Sequence, residues 1–459
     1  MLIQRGVHPA ALLLGLSLSL SALGGVELAQ SAVSSLQQPA SADDWPQFRG
    51  PTGDGISAAT SVPLNWATNQ NVKWKRSVPG RGRSSPILLG DRIWLTTAFE
   101  SNVRTFSAGP DQMQQAERVE IGVVCLDRAT GEQLYYVELF AVDNPPAINA
   151  LNSYATPTPV IEPERLYCDF GTFGTACLDS HTGKVLWTRQ LPLDHHQGPG
   201  SSPALFQDLL ILVRDGRDQQ YLTALDKHTG ETVWKTNRPP LSTPVPAFRK
   251  SFSTPLIFED AGRLQMVVPG AQWFVAYEPA TGKETWRVDN GKGETVAPRP
   301  VYGNGLVFVS TGVYRGRAQL WAVHTNGQGD VTETHVAWKL PNSIGFMPSP
   351  LLLDQTLFLL DDQDFLTCVD ASTGQIVGKA RTEGRYAASP VYAEGRIYCF
   401  GRDGRTVVFQ ADRALSVLAE NQLDGPVFAS PAVVNSAIYL RTDSHLYCLA
   451  PHPIQSQPK

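Results

Sequence analysis

One motif recurs along this chain and constrains its fold more than anything else in it. A small residue is followed by an acid two positions on, a glycine four further and an aromatic four beyond that. The copies are Cys125, Asp127, Gly131, Tyr135; then Cys177, Asp179, Gly183, Trp187; then Ala224, Asp226, Gly230, Trp234; then Ala276, Glu278, Gly282, Trp286. Cys368, Asp370 and Gly374 continue the series, with Gly378 at the aromatic position. Self-similarity at a fixed period marks a repeat architecture, in which each unit buries its face on the next.

A second landmark, a small residue or Arg followed by Pro and an apolar run, gives the period. It falls at Pro86, Pro159, Pro203, Pro255, Pro300, Pro350, Pro390 and Pro431, marking eight units mostly 40–50 residues apart. Within a unit the pattern is strand, turn, strand, turn, strand, turn, strand. The second unit reads TPTPVIE, RLYCDFG, TACLDS and KVLWTRQL. Gly supplies the positive φ of the last turn, and the Asp side chain can accept from free backbone donors there. The small residue leaves room for the aromatic ring.

Four short antiparallel strands, eight times over, predict an all-β, eight-bladed β-propeller. The last unit runs out of chain after three strands. Its fourth is found at the other end: NVKWKRSVPG matches KVLWTRQLPL, with Trp74 in the place of Trp187. Residues 71–79 are therefore expected to complete the eighth blade, which removes an exposed edge.

The domain reading follows. Residues 10–23 form an apolar run of 14 behind Arg5, too short for a confident membrane span and suited to a signal peptide over 1–29. A disordered lead (30–44), an N-terminal extension (45–70), the propeller (71–451) and a tail (452–459) complete the chain. An exported, periplasmic or envelope-associated monomer is expected, with no transmembrane segment after signal cleavage. Lys plus Arg is 38 against 43 Asp plus Glu, a net charge of -5, which gives no reason to expect nucleic acid as a partner. The six cysteines include no CxxC, and no Cys follows the signal where a lipoprotein would carry one. They read as small core residues. Cys168 and Cys177 flank one hairpin, and either a disulfide or two packed thiols is open to them.

The motif A-x-D-x-x-x-G-x-x-x-W resembles the pyrroloquinoline-quinone-like (PQQ-like) repeat, over roughly residues 71–451. That family includes quinoprotein alcohol dehydrogenases and BamB-type outer-membrane assembly proteins. The opening DWPQFRGPTGDG resembles the start of exported BamB-like members. The BamB-type branch implies a non-enzymatic scaffold with a protein partner, the outer-membrane assembly machinery. The quinoprotein branch implies a planar aromatic under the quinone, a Ca²⁺ site, an Asp base and, in many members, two adjacent cysteines. This chain has no adjacent cysteines. No cofactor is expected on the first reading; PQQ and calcium belong to the alternative.

Binding residues are sought on the loops that join one unit to the next. These carry Arg81, Arg83, Asn149, Asn152, His195, His196, Arg249, Lys250, Glu294, Asn342, Arg385 and Tyr386. Several arginines at one mouth would suit a carboxylate or an acidic peptide, since guanidinium pairs two hydrogen bonds with carboxylate. A small-ligand or carbohydrate-binding propeller would instead use exposed aromatics such as Tyr154, Trp273 and Tyr314. No HExxH, P-loop, GxGxxG or GxSxG occurs, so no catalytic or metal residue is assigned. The Asp361–Asp364 run and the segment RDGRD (214–218) read as polar turns. Residues 99–120 read as a long insertion with few core residues, and 325–335 as an extended turn.

Overall fold

The computed structural model describes residues 43–451, apart from 69, 292, 313–317, 343 and 362–363. The signal peptide, nearly all of the lead, the tail and Tyr314 lie outside the described residues. Strands account for nearly all the regular structure, with two single-turn 3₁₀ helices, Gly171–Phe173 and Pro246–Phe248. No helix among the described residues is long and apolar enough to cross a membrane.

Seven sheets have four strands, an eighth has four plus a short fifth, and a ninth has three. In the second unit the strands are Val160–Glu162, Arg165–Asp169, Thr175–Asp179 and Val185–Arg189, all antiparallel. The sheet of the last unit runs Ala432–Val434, Ala437–Arg441, His445–Leu449 and then Val72–Ser77 from the start of the chain. Trp74 lies opposite Cys448 there, as Trp187 lies opposite Cys177.

The repeat residues explain how neighbouring sheets join. Asp179 accepts from the Thr182 amide at 2.7 Å and its hydroxyl at 2.8 Å, pinning the turn. Asp127, Asp226 and Asp370 do the same with Thr130, Thr229 and Thr373. The glycine of that turn also seats the aromatic of the preceding sheet. A Cβ on Gly230 would lie 2.7 Å from Trp187, on Gly282 2.5 Å from Trp234, and on Gly131 2.6 Å from Trp74. Trp187 Nε1 then donates to the Lys227 carbonyl at 3.1 Å, crossing from the second sheet to the third. The fifth sheet follows the same rule with a longer turn: Trp338 packs on Gly374.

The proline landmark has a second role. The residue before each Pro carries a hydroxyl in all but one unit, and in every such unit but the first that hydroxyl accepts the backbone N–H of its counterpart in the preceding unit. The bonds run Ser85 to Thr158, Thr158 to Ser202, Ser202 to Thr254, Arg299 to Ser349, Ser349 to Ser389 and Ser389 to Ser430, all at 2.9–3.1 Å. Buried N–H groups need partners, and this chain of hydroxyls supplies them where no ladder exists.

The N-terminal extension is a strap across the first strands of the sheets. Trp45 exchanges backbone bonds with Leu88, and Pro46 accepts from Ile161. Arg49 Nη2 donates to the Pro350 carbonyl at 2.7 Å. Ser57 bonds to the Tyr392 carbonyl and, through its hydroxyl, to that of Val433. Arg299, the one landmark without a hydroxyl, donates to Gly53 of the strap at 2.7 Å and to Pro255 at 3.1 Å. Burial lowers the pKa of Arg49 to about 9 and that of Arg299 to about 10, so both guanidiniums stay charged at neutral pH.

One open alternative closes and two expectations change. Cys168 faces Ala176 and Cys177 faces Tyr167, so the two cysteines point to opposite sides of their sheet. All six cysteines are buried free thiols. Residues 99–120 are not a loose insertion. Arg92–Ser101 and Arg118–Asp127 stay paired to their ends, and a hairpin of Arg104–Ala108 with Asp111–Gln115 stands on them, burying Met113, Ala116 and Val119. Arg214 is no turn residue: it is buried in a two-pronged pair with Asp169 at 2.7 and 3.0 Å. In the Asp361–Asp364 run, Asp361 accepts the Phe365 amide as a hairpin turn requires, while residues 362–363 lie outside the description.

Candidate functional site

Antiparallel order gives every sheet two ends. The turns joining first to second and third to fourth strands lie at one end, together with the strap. The turns joining second to third strands lie at the other, together with the connections to the next unit. All the loop residues singled out above belong to this crossover end.

A large cavity at that end, about 850 Å³, is lined by Arg83, Leu151, Arg385, Arg402, Phe428 and Asp443, with Arg381, Asp364, Glu383 and Asp403 around them. The connections after the sixth and seventh sheets supply Arg385 and Phe428. The hairpins between second and third strands supply Arg402 and Asp443. Arg83 stacks on the Phe428 ring, 3.3 Å from its centroid, and Arg402 lies at 5.1 Å. Arg83 reaches Asp443 at 3.5 Å, and only 7% of its side chain is exposed. Burial lowers its pKa to about 10, with Asp443 opposing the shift.

A second cavity, about 540 Å³, holds His195 and His196 with Thr172, Phe173, Asp194 and Arg217. Arg217 holds Asp194 through two bonds, at 2.6 and 2.9 Å. Burial, reinforced by Arg214, pushes the His195 pKa down to about 4, so the ring is neutral at pH 7. Nearby, Asp215 is buried beside Arg238 at 3.5 Å, and burial raises its pKa to about 6.

The candidate residues therefore divide. Arg83 and Arg385 line the large cavity, and His195 and His196 the second. Arg81 donates to the carbonyls of Ala150 and Asn152 and pairs with Glu100 at 3.4 Å, tying the first sheet to the next connection. Asn152 donates to Gln197 and Pro199. Lys250 is buried with its ammonium on the Ala247 carbonyl, and burial lowers its pKa. Tyr386 is 2% exposed and donates to the Thr382 carbonyl. Arg249 is half-buried and donates to the Thr243 carbonyl. Arg381, Arg402, Phe428 and Asp443 were missed. Arg402 and Asp443 lie on turns inside a unit, yet those turns share an end with the connections. Tyr154, expected at an exposed groove, is buried with its hydroxyl on Pro146. Trp273 is half-buried, donating to Pro240 and lying under Arg287.

The aromatic ring in the large cavity, Phe428, is covered by the Arg83 guanidinium. Among the described residues no three His, Cys, Asp or Glu side chains come together to hold a metal ion.

The family described as Outer membrane protein assembly factor BamB matches residues 120–271, 219–339 and 270–425, well over half of the chain. The chain belongs to this family. Among curated proteins, a tetrathionate hydrolase of Acidithiobacillus ferrooxidans is 23% identical over 263 residues, 54% of this chain and 47% of that protein. An outer membrane protein assembly factor BamB of Legionella pneumophila is 25% identical over 205 residues, 42% of this chain and 49% of that protein. The match thus spans about half the length of each relative. Among solved structures, BamB of Moraxella catarrhalis aligns with a TM-score of 0.50 at 12% identity, covering 79% of this chain and 99% of that one. A quinohemoprotein alcohol dehydrogenase of Comamonas testosteroni aligns at 0.58 and 12% identity, covering 94% and 86%. A europium-containing methanol dehydrogenase aligns at 0.60 and 12%, covering 90% and 92%. At such identities these likenesses speak for the all-β, propeller-like fold alone.

Proposed function

We propose that this chain is an exported, non-enzymatic scaffold that assists outer-membrane protein assembly in the manner of BamB. Its eight sheets are read as the blades of one ring, closed where Val72–Ser77 pairs with His445–Leu449. The strap occupies one face, and the crossover end is left to display loops to a protein partner. The observation that carries this reading is the family match, which runs through unit after unit from 120 to 425.

Cross-linking in the cell envelope tests it. A photo-reactive residue at Leu151, which is 44% exposed at the crossover end, should trap a component of the outer-membrane assembly machinery. The same group at Lys283, on the strap end, should not. Equal trapping at both positions, or none at either, would overturn the reading.

A second reading, a PQQ-dependent dehydrogenase, follows the other branch that the A-x-D-x-x-x-G-x-x-x-W repeat resembles. It is tested by titrating pyrroloquinoline quinone against tryptophan fluorescence, with and without Ca²⁺. Saturable, Ca²⁺-dependent quenching would restore it.

A further inference from the structure

We propose that the large cavity at the crossover end binds an acidic segment of a polypeptide, through Arg381, Arg385 and Arg402. This rests on the scaffold reading and names the chemistry its partner presents.

The argument is one of unfilled charge. The cavity lining carries four arginines and four carboxylates, which looks balanced. Two of the carboxylates, however, are already paired with arginine. Asp443 pairs with Arg83 at 3.5 Å, and Glu383 with Arg405 at 3.4 Å, a residue outside the lining. Asp403 accepts the Arg405 amide at 3.1 Å. That bond leaves the carboxylate's charge unpaired, so among the described residues Asp364 and Asp403 are the two acids of the lining in no ion pair. Arg381, Arg385 and Arg402 form no ion pair and no side-chain hydrogen bond among the described residues. Arg83, although mostly buried, has Nε and Nη1 without a hydrogen-bond partner. Three unpaired guanidiniums against two unpaired carboxylates leave net positive charge, which a carboxylate ligand offsets.

The remaining lining sets the kind of ligand. Leu151, Pro426 and the edge of Phe428 give apolar surface between the charges. A volume of about 850 Å³ is far more than one carboxylate fills, and falls in the range that buries a ligand of several residues' bulk. Carboxylates spaced by apolar side chains, as on an extended peptide, match both features.

The test uses a fluorescein-labelled peptide, Glu-Leu-Glu-Phe-Glu, read by anisotropy against the mature protein. It should bind, more weakly as salt rises, and the Lys-for-Glu counterpart should not. Arg385→Glu and Arg402→Glu should each weaken binding about tenfold or more, whereas Lys283→Glu on the strap end should not change it. Arg385 is exposed and holds nothing else, so its variant keeps the fold. Thermal unfolding of each variant checks this. Equal binding of both peptides, or unchanged binding by Arg385→Glu, would overturn the proposal. So would displacement by citrate at matched carboxylate concentration, which would make this a small-anion pocket. If the peptide fails while cross-linking at Leu151 persists, the cavity proposal falls and the scaffold reading stands. If the peptide binds and cross-linking fails, the reverse holds.

Discussion

Gly230 has two separate reasons to be glycine. Its φ of 74° lies where side chains are disfavoured, and the face a Cβ would occupy belongs to Trp187 of the preceding sheet. Gly230→Ala should therefore lower stability by about 2 kcal/mol or more, the sum of a left-handed strain and an overpacked contact. Chemical denaturation should register this as a lower midpoint at unchanged slope, and no change would refute the packing account. The positive φ was legible in the sequence, since xTG before a strand is turn chemistry. The seat for a neighbour's ring was not, because it involves two units at once. His195 illustrates the opposite limit. Adjacent histidines in a polar loop look like surface residues, yet burial holds this one at about 4. Its folded pKa lies below its unfolded value of about 6.5, so the unfolded chain takes up the proton first. The neutral ring's contribution is complete above about pH 6.5 and is lost as pH falls toward 4. Asp215, raised to about 6, gives the contrary slope over part of this window. That slope is common to wild type and variant, so it cancels in their difference. Urea midpoints at pH 7 and pH 5 should fall further in the wild type than in His195→Asn. Equal falls would mean that His195 is not held neutral.

At the scale of elements, the exceptions in the repeat are paired. The sixth sheet lacks its aromatic and has Gly378 instead, opposite Cys368. The turn that should seat that ring, in the seventh sheet, lacks its glycine and runs through Arg413. A Cβ on Gly378 would collide with the Arg413 carbonyl. The two departures fit each other: where other sheets place a ring, this junction places the Arg413 carbonyl. Restoring the consensus should therefore harm the protein. Gly378→Trp is expected to lower the melting temperature, although Trp at the equivalent positions 187 and 234 supports the fold. A raised melting temperature would mean that the turn can retreat and that the pairing is incidental. The alternation of strands and turns was readable because each strand's apolar face and each turn's Gly or Asp are local signals. The hairpin on residues 104–115 was not, because its strands are exposed or polar along much of their length and carry no period to read. The same blindness hid Arg402 and Asp443. Which turns share an end with the connections follows from antiparallel order, not from any residue type.

At the scale of the whole molecule, the question is what holds the first unit to the last. Two devices made of N-terminal chain do so. The strap ties the first strands of several sheets together through Arg49, Ser57 and the Arg299 contact. The strand Val72–Ser77 completes the sheet of the last unit, and Trp74 packs on Gly131 of the first. The strand was visible in the sequence because it repeats a pattern found elsewhere in the chain. The strap was not, because it matches no other segment and its contacts are mostly backbone. In the proposed ring, Trp74 is the junction between the two ends of the chain, whereas Trp187 is one junction among neighbours already joined by short connections. Truncating either ring removes similar buried area, so Trp74→Ala and Trp187→Ala should each cost about 3–5 kcal/mol if only packing counts. Their consequences should still differ. Loss of Trp74 loosens a strand whose departure bares the His445–Leu449 edge, and an unpaired edge recruits another chain. Trp74→Ala should therefore form dimers or larger species on size-exclusion chromatography as concentration rises, while Trp187→Ala stays at the size of the wild type. Identical elution of the two variants would argue that the N-terminal strand packs as an ordinary blade strand and does not act as the clasp of a ring.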